Sequence, residues 1–262
     1  MSQAVSDVSA SSEALKVTLL AGGWTSSAGG LPTFNGELAI HLSQHPKVKV
    51  SFLVPDGHCT EEDKREAENY GIKVVSAKKC TGYAPLDWLG APPESHQMDV
   101  VVGHGAKLGK QVQFIKEFPR FHNCKWVQVV HTAPEDLSKY KGYPDPISKG
   151  EEKHEVEVDL CKRADLVVPV GPRLEEAYSS YLQRCKSHQD VFTVIPGLFD
   201  REFGDLQQSP NENAEFKVLL CGRGDKEDFK LKGYDIAVKA FTDHRLKGKR
   251  YHLIFVGAPK GE

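Results

Sequence analysis

The 262 residues are 39% apolar and 27% charged, an ordinary composition for a globular protein, and the length fits one large or two smaller domains. The net charge of -2 gives no basis for a bulk attraction to nucleic acid or to an anionic membrane, so we expect neither partner. No apolar run is long enough to span a membrane, and the N-terminus lacks the pattern of a secretory signal. Residues 1–15 are therefore predicted to form a disordered leader.

The six cysteines are scattered along the chain without a CxxC pair. Several lie in or beside apolar runs, where a free thiol behaves as a small hydrophobic group. We therefore expect reduced cysteines and a cytoplasmic location.

Apolar, β-branched runs alternate with helical patterns from residue 16 onward. Most of the runs are continuous, which is typical of strands that are covered on both faces. The order predicts an α/β fold with a parallel sheet between two helix layers and right-handed crossovers. The predicted strands are 16–21, 48–54, 72–75, 98–103, 125–130, 165–170 and 191–195, and the predicted helices are 31–44, 60–69, 107–117, 148–163 and 172–184.

Residues 205–214 have the polar composition of an interdomain linker. They separate a predicted first domain, 16–204, from a second segment, 215–262. That segment restarts the pattern with a strand at 216–221, a helix at about 233–243 and a strand at 252–256. Three elements cannot bury a core alone, so we predict that the segment is a truncated domain or leans on the first one.

Two loops with glycine follow predicted strands, where parallel sheets bind phosphate. In the first loop, Gly29 and Gly30 would let backbone N–H groups approach a diphosphate, unless the loop merely connects strand to helix. In the second, Arg223 follows the strand and Lys232 precedes the helix. These two cations would converge on a diphosphate, unless both are solvated surface charges.

Two histidines also follow strands at the predicted carboxyl edge of the sheet. His131 comes directly after 125–130, and His104 comes after 98–103. A histidine at this edge can hydrogen-bond a sugar hydroxyl, but a packed or helix-capping histidine fits the pattern equally well. No cluster with metal-ligand spacing is present, so no metal is expected.

In this order the segments resemble the GT-B glycosyltransferases, in particular the large retaining family that includes sucrose synthase, sucrose-phosphate synthase and the bacterial phosphatidylinositol mannosyltransferases. The likeness extends over about residues 16–258. The segments that carry it are Gly29-Gly30 with the helix around Phe34, Val129-Val130-His131-Thr132, residues 164–170, residues 195–200, and Cys221-Gly222-Arg223 with Lys232-Gly233-Tyr234-Asp235.

The resemblance implies transfer of a hexose, with retention, from a nucleoside diphosphate sugar to the hydroxyl of an unidentified acceptor. It implies an acceptor-side Rossmann-like domain followed by the start of a donor-binding domain, with no cofactor besides the donor substrate. It assigns Gly29, Gly30, Arg223 and Lys232 to the donor diphosphate. It makes His131 the catalytic-site residue that positions the sugar and places His104 on the acceptor side.

The pattern departs from the family in one respect. The family's glutamate-rich donor segment would lie beyond residue 262, so we expect a fragment of a longer protein with further C-terminal sequence. The alternative is a non-catalytic module that senses a nucleotide or nucleotide sugar. An oxidoreductase fits less well, because no GxGxxG with a following acidic residue is present.

Overall fold

The computed structural model describes residues 13–24, 30–197, 216–222, 224, 230–248 and 250–257. The chain divides into two compact units, 1–132 with 156–195, and 133–155 with 196–262. The sequence assigns 133–155 to the first domain, whereas this division groups it with the second unit. The linker at 205–214 and most of the leader lie outside the described residues, so these boundaries stay predictions.

The first unit contains a six-stranded parallel sheet. Its strands are β1 (Leu15–Leu20), β2 (Val48–Pro55), β3 (Ile72–Ala77), β4 (Val100–His104), β5 (Lys125–Val130) and β6 (Leu166–Pro169). They lie in the order β3-β2-β1-β4-β5-β6, and every neighbouring pair is parallel. The order reverses between β1 and β4, and open α/β sheets bind ligands at such a switch point, beyond the carboxyl ends of the strands.

Helices connect the strands, and the α-helices of the described residues, except for the single turn Pro134–Leu137, lie at or near predicted positions. They are α1 (Gly30–Ser43), α2 (Glu61–Asn69), α3 (Gly105–Glu117), the single turn α4 (Pro134–Leu137), α5 (Pro146–Arg163) and α6 (Pro172–Leu182). α2 begins with a capping box, in which Thr60 Oγ1 accepts from the Asp63 N–H and the Asp63 carboxylate accepts from the Thr60 N–H. α6 begins with Pro172, whose fixed φ suits a first helical turn.

Both faces of the sheet are covered, as the continuous apolar runs predicted. Successive residues of a strand point to opposite faces. Leu19, Val102 and Val129 therefore pack in a core that includes residues of α1 and α2, whereas their neighbours in sequence pack in a second core with residues of α3, α5 and α6. The second core contains Leu20, Val101, Val130, Leu108, Val112, Leu160, Tyr178 and Leu182.

The predicted strand at 191–195 is wrong. Residues Val191 and Val194 form only isolated parallel bridges beside β6. The Phe192 N–H bonds the Val167 carbonyl, and a continuous parallel ladder would next require an N–H from Pro169. Proline has no N–H to donate, so the ladder is interrupted at that point.

The second unit contains the predicted strand–helix–strand. Strands β7 (Phe216–Cys221) and β8 (Tyr251–Val256) pair in parallel, with helix α7 (Tyr234–Phe241) between them in sequence. The Gly222 N–H donates to the Val256 carbonyl at 3.0 Å and so joins the carboxyl ends of the two strands.

In the described part of the chain, no helix is long and apolar enough to cross a membrane. All six cysteines lie in that part and are free thiols.

Candidate functional site

The site residues predicted in the first unit lie at the carboxyl edge of its sheet. Gly30 begins α1 after β1, His104 is the last residue of β4, and His131 directly follows β5. Gly29 lies outside the described residues. A Cβ atom on Gly30 would meet no atom of the described residues within 4 Å. Its role in phosphate binding stays a prediction.

The two histidines contact each other, which the sequence did not predict. His104 Nδ1 and His131 Nε2 are 3.0 Å apart, within hydrogen-bond distance. The rings stack with their centroids 5.3 Å apart. Phe34 of α1 packs nearly perpendicular to both rings, with its centroid 5.1 Å from His131 and 6.1 Å from His104. The ends of β4 and β5 and the first turns of α1 therefore build one aromatic cluster.

Burial keeps this pair neutral. The side chain of His104 is fully buried, whereas His131 is partly exposed. Burial, together with the charge that His131 can carry, lowers the pKa of His104 to about 3. Burial also lowers the pKa of His131 to about 4. The pair therefore offers a neutral hydrogen-bonding group at pH 7, and His131 is the member that a ligand can reach. The side chain of His104 is buried, and its predicted place on the acceptor side stays a prediction.

A side-chain hydrogen bond fixes α1 to the end of β1. Asn35 is buried, and its Nδ2 donates to the Leu20 carbonyl at 3.0 Å. This bond satisfies the last carbonyl of the strand and holds the adjacent Phe34 against the histidines.

Buried polar side chains hold the turn between β4 and α3. Gly105 has φ +53°, in the left-handed region that favours glycine. The Ala106 N–H donates to Glu157 Oε2 of α5 at 2.7 Å, and Gln128 Nε2 of β5 donates to the Gly105 carbonyl at 3.1 Å. Gln128 Oε1 in turn accepts from Trp126 Nε1 at 3.2 Å. These bonds determine the direction in which the preceding residue, the histidine of β4, enters the site.

Two glycines make room for Gln128. A Cβ atom on Gly109 would lie 2.5 Å from Gln128 Oε1, and one on Gly103 would lie 2.8 Å from the Gly109 Cα. Real Cβ atoms do not approach this closely, so both positions require glycine while the amide stays in place. The sequence pattern did not predict this group. A glutamine inside an apolar strand and a glycine inside a helical pattern were the signals available.

Glu157 is nearly fully buried, with 5% of its surface exposed. Burial raises the pKa of its carboxyl to about 7, although the hydrogen bond from Ala106 and the neighbouring Gln128 side chain act in the opposite direction. Its Oε1 has no hydrogen-bond partner among the described residues. Glu157 lies in a run of charged residues, a pattern typical of a solvated helix face, so the pattern does not indicate this buried carboxyl.

A cavity of about 580 Å³ opens at the same edge of the sheet. His58 contributes to its wall, and the Nδ1 atom of that residue lies 3.0 Å from the Gly22 carbonyl of the first loop. Lys110 pairs with Asp87 across the wall at 2.9 Å. The lining residues are His58, Ala84, Pro85, Leu86, Asp87, Ala106, Lys107 and Lys110.

In the second unit, Lys232 lies beside the carboxyl end of β7. Its stem packs over Gly222, where a Cβ atom would lie 3.2 Å from the lysine Cγ and Cδ. Tyr234 Oη donates to the Gly222 carbonyl at 2.5 Å, and Gly233 has φ +72°. Lys232 is exposed and precedes the start of α7, as predicted. Arg223 lies outside the described residues, so the convergence of the two cations stays a prediction.

A family model described as Family 4 Glycosyltransferase in conflict systems (GT4-conflict) matches residues 18–262, nearly the whole chain. The chain belongs to this family. The predicted assignment to the glycosyltransferases is therefore confirmed, whereas the sucrose synthase-like subfamily stays a prediction. No curated protein matches the sequence of this glycosyltransferase.

Solved structures of GT-B glycosyltransferases share its fold. Medicago truncatula UGT71G1 complexed with UDP-glucose aligns with a TM-score of 0.53 and 10% identity over 95% of this chain and 69% of that one. Arabidopsis thaliana UGT89C1 complexed with UDP-L-rhamnose aligns with a TM-score of 0.53 and 12% identity over 94% and 70%. The glycotransferase of kitacinnamycin aligns with a TM-score of 0.51 and 14% identity over 92% and 65%. These similarities confirm the predicted α/β, GT-B type of fold with its Rossmann-like sheet.

Proposed function

We propose that this glycosyltransferase moves a hexose from a nucleoside diphosphate sugar to an acceptor hydroxyl with retention of anomeric configuration. The observation that carries the proposal is the neutral His104–His131 pair at the carboxyl ends of β4 and β5, beside the switch point of the sheet, in a chain of glycosyltransferase family 4. Two solved structures of the same fold, the Medicago and Arabidopsis proteins, are complexes with UDP-sugars. Retention and the hexose rest on the resemblance of the sequence motifs to the retaining family.

In this proposal His131 contacts the donor sugar. It is partly exposed and neutral, so it can exchange a hydrogen bond with a hydroxyl without desolvating a charge. The phosphate groups leave as a nucleoside diphosphate, on which negative charge grows in the transition state. Arg223 and Lys232 would stabilise that charge, which is the preorganised electrostatic contribution such a reaction needs. Gly29 and Gly30 would add backbone N–H donors.

We propose that the cavity beside α3 receives the acceptor. Its walls combine apolar side chains, such as Pro85 and Leu86, with the ammonium groups of Lys107 and Lys110. Ligand sites commonly combine apolar walls with a few polar groups that fix orientation. The cavity shares the carboxyl edge of the sheet with the histidine pair, as an acceptor site must.

The test is hydrolysis of UDP-glucose and GDP-mannose by the full chain, in which water replaces the acceptor hydroxyl and takes the hexose, followed by proton NMR in real time. We expect consumption of a donor, release of the nucleoside diphosphate, and a first-formed α-anomer of the hexose from these α-linked donors. His131→Ala should slow turnover about tenfold, the cost of one hydrogen bond. Replacement of His45 by glutamine should not, because this exposed histidine lies beyond the C-terminus of α1.

Two results would contradict parts of the proposal. A first-formed β-anomer would contradict retention and leave transfer intact. Tight binding of a nucleotide sugar with no turnover of any donor would instead favour the sensing module.

A further inference from the structure

The hydrogen bond between the two histidines has a direction, and the direction determines what His131 presents to a ligand. A neutral imidazole carries one N–H and one bare nitrogen. Because both rings are neutral, one of them donates across the 3.0 Å between His104 Nδ1 and His131 Nε2. The remaining nitrogen of each ring must then have the opposite character.

The outer nitrogen of His104 distinguishes the two directions. This atom, Nε2, is fully buried and has no hydrogen-bond partner among the described residues. If His131 donated, His104 would hold its own proton on Nε2, as an orphaned buried N–H. Such orphaned donors are rare in proteins because they lose their hydration without compensation. If His104 donates, only a bare nitrogen is buried there.

We propose that His104 is a positioning residue: it donates its Nδ1–H to His131 Nε2 and thereby fixes His131 as the Nδ1–H tautomer. His131 then offers a neutral N–H donor at the edge of the sheet. The chemical group it recognises is an uncharged or anionic oxygen acceptor, such as a hydroxyl oxygen of the donor sugar. The identity of that ligand rests on the proposed function, whereas the tautomer does not.

The surroundings keep this arrangement in place. The ring of His104 is confined by the stacked ring of His131 and by Phe34. Its backbone is fixed by the bonds of Glu157 and Gln128 to the following turn. A change of tautomer would require the His104 proton to move from Nδ1 to Nε2, and Nε2 has neither solvent nor a described partner through which a proton could travel. The tautomer of His131 is therefore set before any ligand binds.

The experiment reads the tautomer directly from long-range ¹H–¹⁵N NMR spectra of the full chain with ¹⁵N-labelled histidine. His131→Gln identifies the signals of that ring by their loss. Two replacements of His104 form a matched pair. Asparagine places an amide N–H near the position of Nδ1 and keeps the donor. Leucine has nearly the same shape and removes it.

We expect the Nδ1–H tautomer of His131 in the wild type and in His104→Asn, and a mixture of tautomers in His104→Leu. The Nε2–H tautomer in the wild type would overturn the proposal, because the bond would then run from His131. Wild-type tautomer populations in His104→Leu would also overturn it, because another group would then fix the ring. The spectrum of the rest of the chain shows whether each variant has folded.

A second readout separates this proposal from the proposed function. Calorimetry compares UDP-glucose with UDP, and GDP-mannose with GDP, so that the sugar contribution is isolated. For the donor that binds, His104→Leu should reduce the preference for the sugar nucleotide about 3- to 10-fold, the value of one neutral hydrogen bond, and His104→Asn should restore it. If neither sugar nucleotide binds but the tautomers are as expected, the proposed function fails and the role of His104 stands. If the sugar preference is unchanged in His104→Leu, the role of His104 in recognition fails.

Discussion

Replacement of Glu157 by glutamine should remove one pH-dependent contribution to the stability of the first unit. The glutamine can keep an oxygen for the Ala106 N–H while it removes the charge. Burial raises the pKa of the native carboxyl from 4.5 to about 7. The folded state therefore binds more protons than the unfolded state between these values, and native stability falls as pH rises through this window. The contribution of Glu157 is most favourable below its unfolded pKa.

The size of the effect follows from the two pKa values. As the pH rises from 5 to 8, the free energy of unfolding of the wild type should fall by about 2.5 kcal/mol relative to that of Glu157→Gln, since one pKa unit corresponds to about 1.4 kcal/mol. The change of this difference with pH is the quantity to measure, because any constant cost of burying the amide cancels.

Urea unfolding followed by tryptophan fluorescence measures this difference in the correct part of the chain. The three tryptophans, at positions 24, 88 and 126, all lie in the first unit. Glu155→Gln, an exposed residue of the same helix, is the matched control and should give the same pH dependence as the wild type. A wild type and a Glu157→Gln variant whose stabilities change in parallel from pH 5 to pH 8 would refute the reasoning.

Three further outcomes are expected. Gly109→Ala should destabilise the first unit by about 1 to 3 kcal/mol in urea unfolding, because the new Cβ would collide with Gln128. The control Gly36→Ala, on α1, should be neutral or stabilising by up to about 1 kcal/mol, because a Cβ there meets no described atom within 4 Å. Equal effects of the two substitutions would contradict the packing argument. His104 stays neutral in the folded state, whereas the unfolded ring protonates near pH 6.5, so the wild type should lose about 2 kcal/mol of its free energy of unfolding between pH 7 and pH 5 from this residue. The His104→Asn variant should lose about 2 kcal/mol less than the wild type over the same range. An identical acid dependence in the two proteins would show that the ring is not desolvated. Arg223→Lys should bind UDP at least about tenfold more weakly, because an ammonium cannot replace the planar guanidinium that hydrogen-bonds two phosphate oxygens. Full affinity of this variant would indicate that Arg223 is a solvated surface residue.

The fold could be predicted from the sequence because its signals are local and repeated. The continuous valine-rich runs mark strands buried on both faces, and the helices between them require a parallel sheet. The failure at 191–195 has a different origin. The segment has strand composition, but its partner strand ends in Pro169, which has no N–H to donate. The composition of the segment cannot show that the neighbouring strand lacks this donor.

The site could be predicted only in part, for a related reason. His104 and His131 were found because each follows a strand, and the carboxyl ends of parallel strands share one edge. Their contact depends on the adjacency of β4 and β5 and on the ring of Phe34, which the pattern of either strand does not contain. Gln128 and Glu157 were missed because their role depends on hydrogen bonds to the distant turn at Gly105 and Ala106. The residues beside them in the sequence give no sign of these bonds.

The central claim is that the chain binds a nucleoside diphosphate through Arg223 and Lys232, and titration calorimetry with UDP and GDP tests it most directly. Each alanine substitution should weaken binding of the diphosphate about 10- to 150-fold, the range for a charge-assisted hydrogen bond, while the affinity for uridine or guanosine hardly changes. Lys247→Ala, an exposed lysine of the same unit, should bind like the wild type. Equal affinity of the wild type and the double alanine variant for both diphosphates would contradict the account.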